Sequence, residues 1–175
     1  MARLILLTGH PGVGKTTVIR RLAQALGSRA GGFYTEELRI RGPRVGFKIV
    51  TLEGTEGTLA HVDIKGSPRV GRYGVNLSDL DQIGVAAIQR ALAEREVVII
   101  DEIGKMELFS DRFREAVERA AASDRTVVAT AMAQPNPFVD RLKARAQAQV
   151  VKVTEANRQA LPAQLLTMIE SPPPR

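Results

Sequence analysis

Residues Gly9 to Thr16 read Gly-His-Pro-Gly-Val-Gly-Lys-Thr, an unbroken G-x-x-x-x-G-K-[ST] pattern. The octet constrains the fold through its flanks. Leu4 to Thr8 ahead of it is a continuous run of strand character, and behind it Val18, Ile19, Leu22, Ala23 and Leu26 recur at helical spacing until Gly27. A strand that enters a glycine-rich turn and leaves it as a helix gathers backbone N–H groups and the positive end of the helix dipole around an anion. Gly9, His10, Pro11, Gly12, Val13, Gly14, Lys15 and Thr16, with Thr17 behind them, are therefore the expected cradle of a nucleoside triphosphate. Lys15 supplies a point charge for the β- and γ-phosphates. The Thr16 hydroxyl is a candidate ligand for Mg²⁺, a hard cation that takes oxygen donors and bridges the same phosphates. A turn that merely caps a helix would leave the match of both flanks to chance.

The 175 residues, 44% hydrophobic and 25% charged, suit one globular domain over 1–175 with a sizeable core. With no cysteine, disulfides, thiolate zinc sites and cysteine nucleophiles are excluded together. The apolar run Leu4 to Leu7 is too short for a membrane span or a signal-peptide core. Cytoplasm is the expected compartment, because nucleoside triphosphates are there. The net charge of +6 is spread along the chain, aromatics make up 4%, and no recognition-helix or base-stacking pattern occurs. That points to a basic surface for anionic ligands and against nucleic acid. No protein partner is legible.

Gly31 to Leu38 and Val45 to Leu52 are β-rich runs around a turn at 39–44, and Leu59 to Ile64 is a candidate third strand. Short connections make this 31–64 segment an antiparallel insertion in an otherwise parallel sheet. Lys65 to Asn76, with three glycines and three basic residues, reads as a functional loop. Leu80, Ile83, Ala87, Ile88 and Ala91 then share a helical face. Val97, Val98, Ile99 and Ile100 form a β-branched run, the mark of a parallel strand buried on both sides. Phe109, Phe113, Ala116, Val117 and Ala120 outline a helix, Thr126 to Ala129 a buried strand, Phe138 to Ala146 a short helix and Gln149 to Val153 a last core strand. Thr154 is placed to cap a turn, Pro162 opens or kinks a final helix carrying Leu165, Leu166 and Ile169, and 171–175 is an extended, flexible tail. Alternating strands and helices with right-handed crossovers give a three-layer α/β fold whose ligand sits at the carboxyl ends of the strands.

The chemistry is expected at those ends. Asp101 closes the β-branched run, where a carboxylate holds Mg²⁺ directly or through water. Glu102 beside it is placed to orient an attacking water and receive its proton, a role that hydrolysis needs. Thr130 ends the next buried strand, either as a hydrogen-bond donor to the γ-phosphate or the water, or as a plain strand end. Arg72 and Arg69 are candidates to neutralise charge developing on the phosphoryl group, against the ordinary reading of arginines as solvated surface. His10 contributes only backbone to the loop, and His61 lacks a partner at metal-ligand spacing.

Asp101-Glu102-Ile103-Gly104-Lys105-Met106-Glu107-Leu108 resembles the hallmark of the small P-loop nucleoside-triphosphatase family, known from thermostable archaeal and bacterial members and a human cancer-related member. Gly32-Phe33-Tyr34-Thr35-Glu36-Glu37, the Gly46-Phe47 strand, Val70 to Asn76 and Thr154-Glu155-Ala156-Asn157-Arg158 are similar to that family's other blocks, in the same order. The resemblance implies a RecA-like P-loop fold and Mg²⁺-dependent hydrolysis of ATP, GTP and other nucleoside triphosphates to diphosphate and phosphate, with broad base tolerance. It also implies that Gly9 to Thr16 and Val97 to Gly104 line the nucleotide site, and that Arg158 approaches the base, a position otherwise read as a helix-surface charge. Ala131-Met132-Ala133-Gln134 departs from relatives, which commonly place an aliphatic residue and then proline or histidine there. Two other functions use the same loop: a nucleoside or nucleotide kinase, although no arginine-rich lid is apparent, and a binding switch reset by hydrolysis.

Overall fold

The computed structural model describes residues 2–172. In chain order the elements are β1 (Arg3–Thr8), α1 (Lys15–Leu26), β2 (Ala30–Arg39), β3 (Arg44–Thr51), β4 (Glu56–His61), β5 (Arg69–Val70) and β6 (Tyr73–Val75). There follow α2 (Leu77–Asp79), a π-helical segment Leu80–Val85, α3 (Ala86–Glu94), β7 (Val97–Ile103), a 3₁₀ turn Glu107–Phe109, α4 (Asp111–Ala122), β8 (Thr126–Ala131), α5 (Pro137–Lys143), β9 (Ala148–Lys152) and α6 (Leu161–Glu170). The strands form one sheet in the order β5-β6-β4-β3-β2-β7-β8-β1-β9. From β2 to β9 the pairings are parallel; from β2 to β5 they are antiparallel.

Successive residues of the parallel strands point to opposite faces, and each face has its own core. Leu4, Leu6, Val98, Ile100, Val127 and Ala129 meet Ile88 of α3, Val117 of α4 and Val139 of α5. Ile5, Leu7, Val97, Ile99 and Val128 meet Val18, Ile19 and Leu22 of α1 and Leu165 of α6. Helices on both faces of the sheet make the expected three layers. The antiparallel segment, by contrast, is no separate hairpin. β2 serves both halves, pairing β7 in parallel over Ala30 to Phe33 and β3 in antiparallel from Phe33 onward.

Several boundaries differ from expectation. Lys65 to Asn76 is not a free loop: it contains the β5–β6 hairpin, which extends the sheet with Val70 opposite Tyr73. The third strand of the insertion is Glu56–His61, earlier than Leu59 to Ile64. Phe109 lies outside α4 and is exposed, because the Ser110 hydroxyl caps the helix by accepting from the Phe113 N–H. β9 is an edge strand with Gln149 and Val150 exposed, so its β-branched pair belongs only partly to the core. α5 stops at Lys143, short of Ala146. Of the tail 171–175, residues 173–175 lie outside the described residues, and the Ser171 carbonyl accepts from Arg3 at 2.6 Å. Among the described residues no helix is long and apolar enough to cross a membrane.

Candidate active site

Because β7, β8 and β1 are neighbours in the sheet, their carboxyl ends bring Asp101, Glu102, Thr130 and the Gly9–Thr16 loop to one edge. Val13 anchors the loop by burying its side chain in the α1 face of the core. Gly14, the residue before α1, has φ 110°, a left-handed conformation open to glycine, and no side chain caps the helix. The first N–H groups of α1 are thus left for a ligand. Thr17 lines the cleft beside them, while His10 is exposed and its Nδ1 lies 3.0 Å from the Pro11 carbonyl.

Lys15 donates from Nζ to the Gly9 carbonyl at 2.9 Å and pairs with Glu102 Oε2 at 3.2 Å. Asp101 is 2% exposed. Its carboxylate accepts from Thr16 Oγ1 at 2.8 Å, Thr130 Oγ1 at 2.5 Å and the Thr35 N–H at 3.4 Å. Burial nevertheless pushes its pKa up to about 6, with the hydroxyl donors opposing and the Glu102 charge adding to the rise. The hydroxyl of Thr16 and the carboxylate of Asp101 are the adjoining oxygens a hard divalent cation would take. Among the described residues no group of three or more His, Cys, Asp or Glu side chains is arranged to hold a metal.

These residues open into a cleft of about 990 Å³, at the upper end of the range for small-molecule sites, ~300–1,000 Å³. One wall is the loop with Asp101 and Glu102. The other comes from the antiparallel half: Thr35, Glu36, Glu37, Arg44, Phe47, Leu59, Val70, Gly71 and Tyr73. Arg20 of α1, Lys105, Met106, Glu107 and the departing residues Met132, Ala133 and Gln134 complete it. Arg158 reaches the back of the loop, donating from Nη1 to the Val13 carbonyl at 3.1 Å. It is delivered by a turn in which Thr154 and Asn157 exchange side-chain and backbone hydrogen bonds.

The NTPase family model matches residues 4–166. The chain belongs to the NTPase family. It is 50% identical over 166 residues to the nucleoside-triphosphatase THEP1 of Thermotoga sp. (strain RQ2), covering 95% of each chain. To the human cancer-related nucleoside-triphosphatase it is 38% identical over 187 residues, covering 98% of each. The crystal structure of THEP1 from the hyperthermophile Aquifex aeolicus shares its fold with a TM-score of 0.89 at 36% identity, over 98% of this chain and 100% of that one.

Within this NTPase scaffold the expected site residues separate into groups. Lys15, Thr16, Asp101 and Glu102 come together as the loop chemistry requires. Val97, Val98, Ile99, Ile100 and Ile103 are enclosed in the sheet and do not line the cleft; they belong to the strand that carries Asp101 and Glu102. Gly104 gives Glu102 room: a Cβ there would lie 2.6 Å from Glu102 Oε1. Thr130 has 0% exposure and its hydroxyl is committed to Asp101, so it holds the carboxylate rather than a phosphate or a water.

Arg72 and Arg69 are not brought to the phosphates. Arg72 donates to the Arg44 carbonyl and to Tyr73 Oη, and Arg69 to the carbonyls of Ile64 at 2.8 Å and Arg72 at 2.7 Å. Both clamp the β5–β6 hairpin, since their segment folds into the sheet, and neither lines the cleft. The arginine that does line its far wall is Arg44, stacked over Phe47 and Tyr73 with Nε on Tyr73 Oη at 3.0 Å. In the sequence Arg44 belongs to the charged turn at 39–44, and only strand pairing reveals its neighbours. Glu107 lies in the Asp101 to Leu108 string, but nothing local to it marks it as part of the cleft.

Proposed function

We propose that this chain hydrolyses nucleoside triphosphates to diphosphate and inorganic phosphate, with Mg²⁺ as the metal and little discrimination between bases. The observation that carries the reading is the Lys15–Glu102 pair beside the Thr16–Asp101 pair, where the first residues of α1 meet the carboxyl end of β7. The amides of α1 and Lys15 bind the polyphosphate, and Arg158 braces the loop through the Val13 carbonyl. Thr16 and Asp101 would hold the cation, the latter directly or through water, and the cation when bound neutralises charge on the β- and γ-oxygens. When Lys15 turns to the phosphates it gives up Glu102. That carboxylate then accepts the proton of a water whose oxygen bonds to the γ-phosphorus as the bond to the β-bridging oxygen breaks. We read 1–175 as one domain and the cytoplasm as its compartment.

Phosphate release from eight ribo- and deoxyribonucleoside triphosphates, with and without Mg²⁺, tests the reading. Release from all eight only with the metal is expected. A phosphorylated nucleoside or nucleotide in place of free phosphate would make the enzyme a kinase.

A further inference from the structure

Glu107 is a carboxyl group in the cleft wall that the reaction above leaves unused. The neighbouring Glu36 and Glu37 are neutralised, the first by Arg20 and Lys48, the second by Arg39 and Arg44. Glu107 has no such cation among the described residues. It is 4% exposed, and its Oε2 is buried without a hydrogen-bond partner among the described residues. Unpaired buried oxygens are rare in native folds because they forfeit hydration without compensation, so one beside a reactive carboxylate calls for a cause.

The backbone supplies a direction. After Gly104 the chain turns back, with the Leu108 N–H on the Gly104 carbonyl at 3.0 Å and the Ser110 N–H on the Glu107 carbonyl at 3.0 Å. This folds the Glu107 side chain over Gly104, where a Cβ would lie 3.3 Å from Glu107 Oε2 and 2.6 Å from Glu102 Oε1. Two carboxyl groups therefore converge above one glycine. Glu102 is meanwhile drawn to Lys15 at 3.2 Å, the cation that an arriving triphosphate claims.

We propose that Glu107 is the positioning residue for Glu102: once Lys15 moves to the phosphates, Glu107 Oε2 becomes the hydrogen-bond partner of the Glu102 carboxylate and keeps it aimed at the water. The proposal rests on Glu102 being the base. Burial first, then the charges of Glu102 and Asp101, push the Glu107 pKa well above the usual carboxylate range, against the backbone N–H groups of Glu107 and Gly104. That direction favours the protonated acid, the form of Glu107 with a donor to give. Lys15 and Glu107 take turns on one carboxylate, the first holding it back and the second holding it ready.

The test compares Glu107→Gln, which keeps a donor and the shape, with Glu107→Leu, which removes the donor from an enclosed site. Glu107→Gln should keep kcat within about threefold of wild type, whereas Glu107→Leu should lose about 10- to 100-fold, with KM and nucleotide affinity unchanged in both. Thermal unfolding of Glu107→Leu should stay close to wild type, because the carboxyl group it removes carries a buried oxygen without a partner. Glu107→Met gives the same readout if the leucine variant does not fold. A leucine or methionine variant within threefold of wild-type kcat, or a glutamine variant as slow as they are, overturns the proposal. Glu102→Gln measured alongside separates the two readings: if it is fast, the base assignment itself fails, and if it is slow while Glu107→Leu is fast, only the positioning role fails.

Discussion

The two halves of the sheet wall one cleft by different means. In the parallel half β7, β8 and β1 are enclosed on both faces, and Asp101 at their edge is fixed by three hydrogen bonds from Thr16, Thr130 and Thr35. In the antiparallel half the pairing of β2 with β3 and of β3 with β4 is irregular, and the side chains facing the cleft are held by partly exposed contacts. Examples are the Glu37 ion pairs with Arg39 and Arg44 and the stacking of Arg44 on Phe47 and Tyr73. Exposed ion pairs contribute about 0–1 kcal/mol each and exposed cation–π contacts about 0.5–1 kcal/mol. The phosphate end is therefore fixed by burial, and the far wall by many weak contacts. Rate should be sensitive to the first half and tolerant of the second.

The largest expected effect is on Lys15. Lys15→Ala removes the charge on the phosphates and the partner of Glu102, and kcat should fall by about 10²–10³-fold or more in a phosphate-release assay. Next comes Asp101, whose folded-state pKa of about 6 stands above the ordinary 3.8. The folded state binds this proton more tightly than the unfolded chain does. Asp101's contribution to stability is therefore greatest below about pH 4, declines as pH rises to about 6 and is level above that, a span of about 3 kcal/mol. Asp101→Asn should accordingly raise the Tm of the metal-free protein at pH 8, with the gain vanishing near pH 4. A lower Tm at pH 8 would mean that the threonine hydrogen bonds outweigh the cost of burying the charge.

Gly104→Ala sharpens the same half. The new Cβ meets side-chain atoms, Oε1 of Glu102 at 2.6 Å and Cγ of Glu102 and Oε2 of Glu107 at 3.3 Å, so folding should survive while kcat drops by about tenfold or more through a misaimed carboxylate. On the other half Arg44→Ala should cost about 1 kcal/mol in urea unfolding and less than about fivefold in kcat. Arg72→Ala should be smallest, below about threefold in kcat, because its guanidinium is spent on the Arg44 carbonyl and Tyr73. A thousandfold loss there would break the comparison, since it would show the antiparallel half reaching the phosphates during turnover.

What could be read in the sequence follows the same divide. The parallel half announces itself locally: Leu4 to Thr8, the glycine-rich octet and Val97 to Asp101 are contiguous strings whose burial and chemistry coincide. The antiparallel half depends on pairing between distant strands. Nothing near Arg69 and Arg72 says that they clamp a hairpin, and nothing near Arg44 says that it will lie over Tyr73. Thr130 shows the limit within the legible half, for its position at a strand end was readable but the commitment of its hydroxyl to Asp101 was not. The unpaired oxygen of Glu107 is likewise a property of three dimensions, set by the turn after Gly104.

The central claim is that a triphosphate takes Lys15 and thereby releases Glu102 to accept the proton of water. Single-turnover phosphate release by Glu102→Gln, with nucleotide affinity titrated on the same sample, addresses it most directly. Binding at wild-type strength with chemistry slowed by about 10²–10⁴-fold is the predicted result. Wild-type chemistry in that variant, with binding intact, would contradict it.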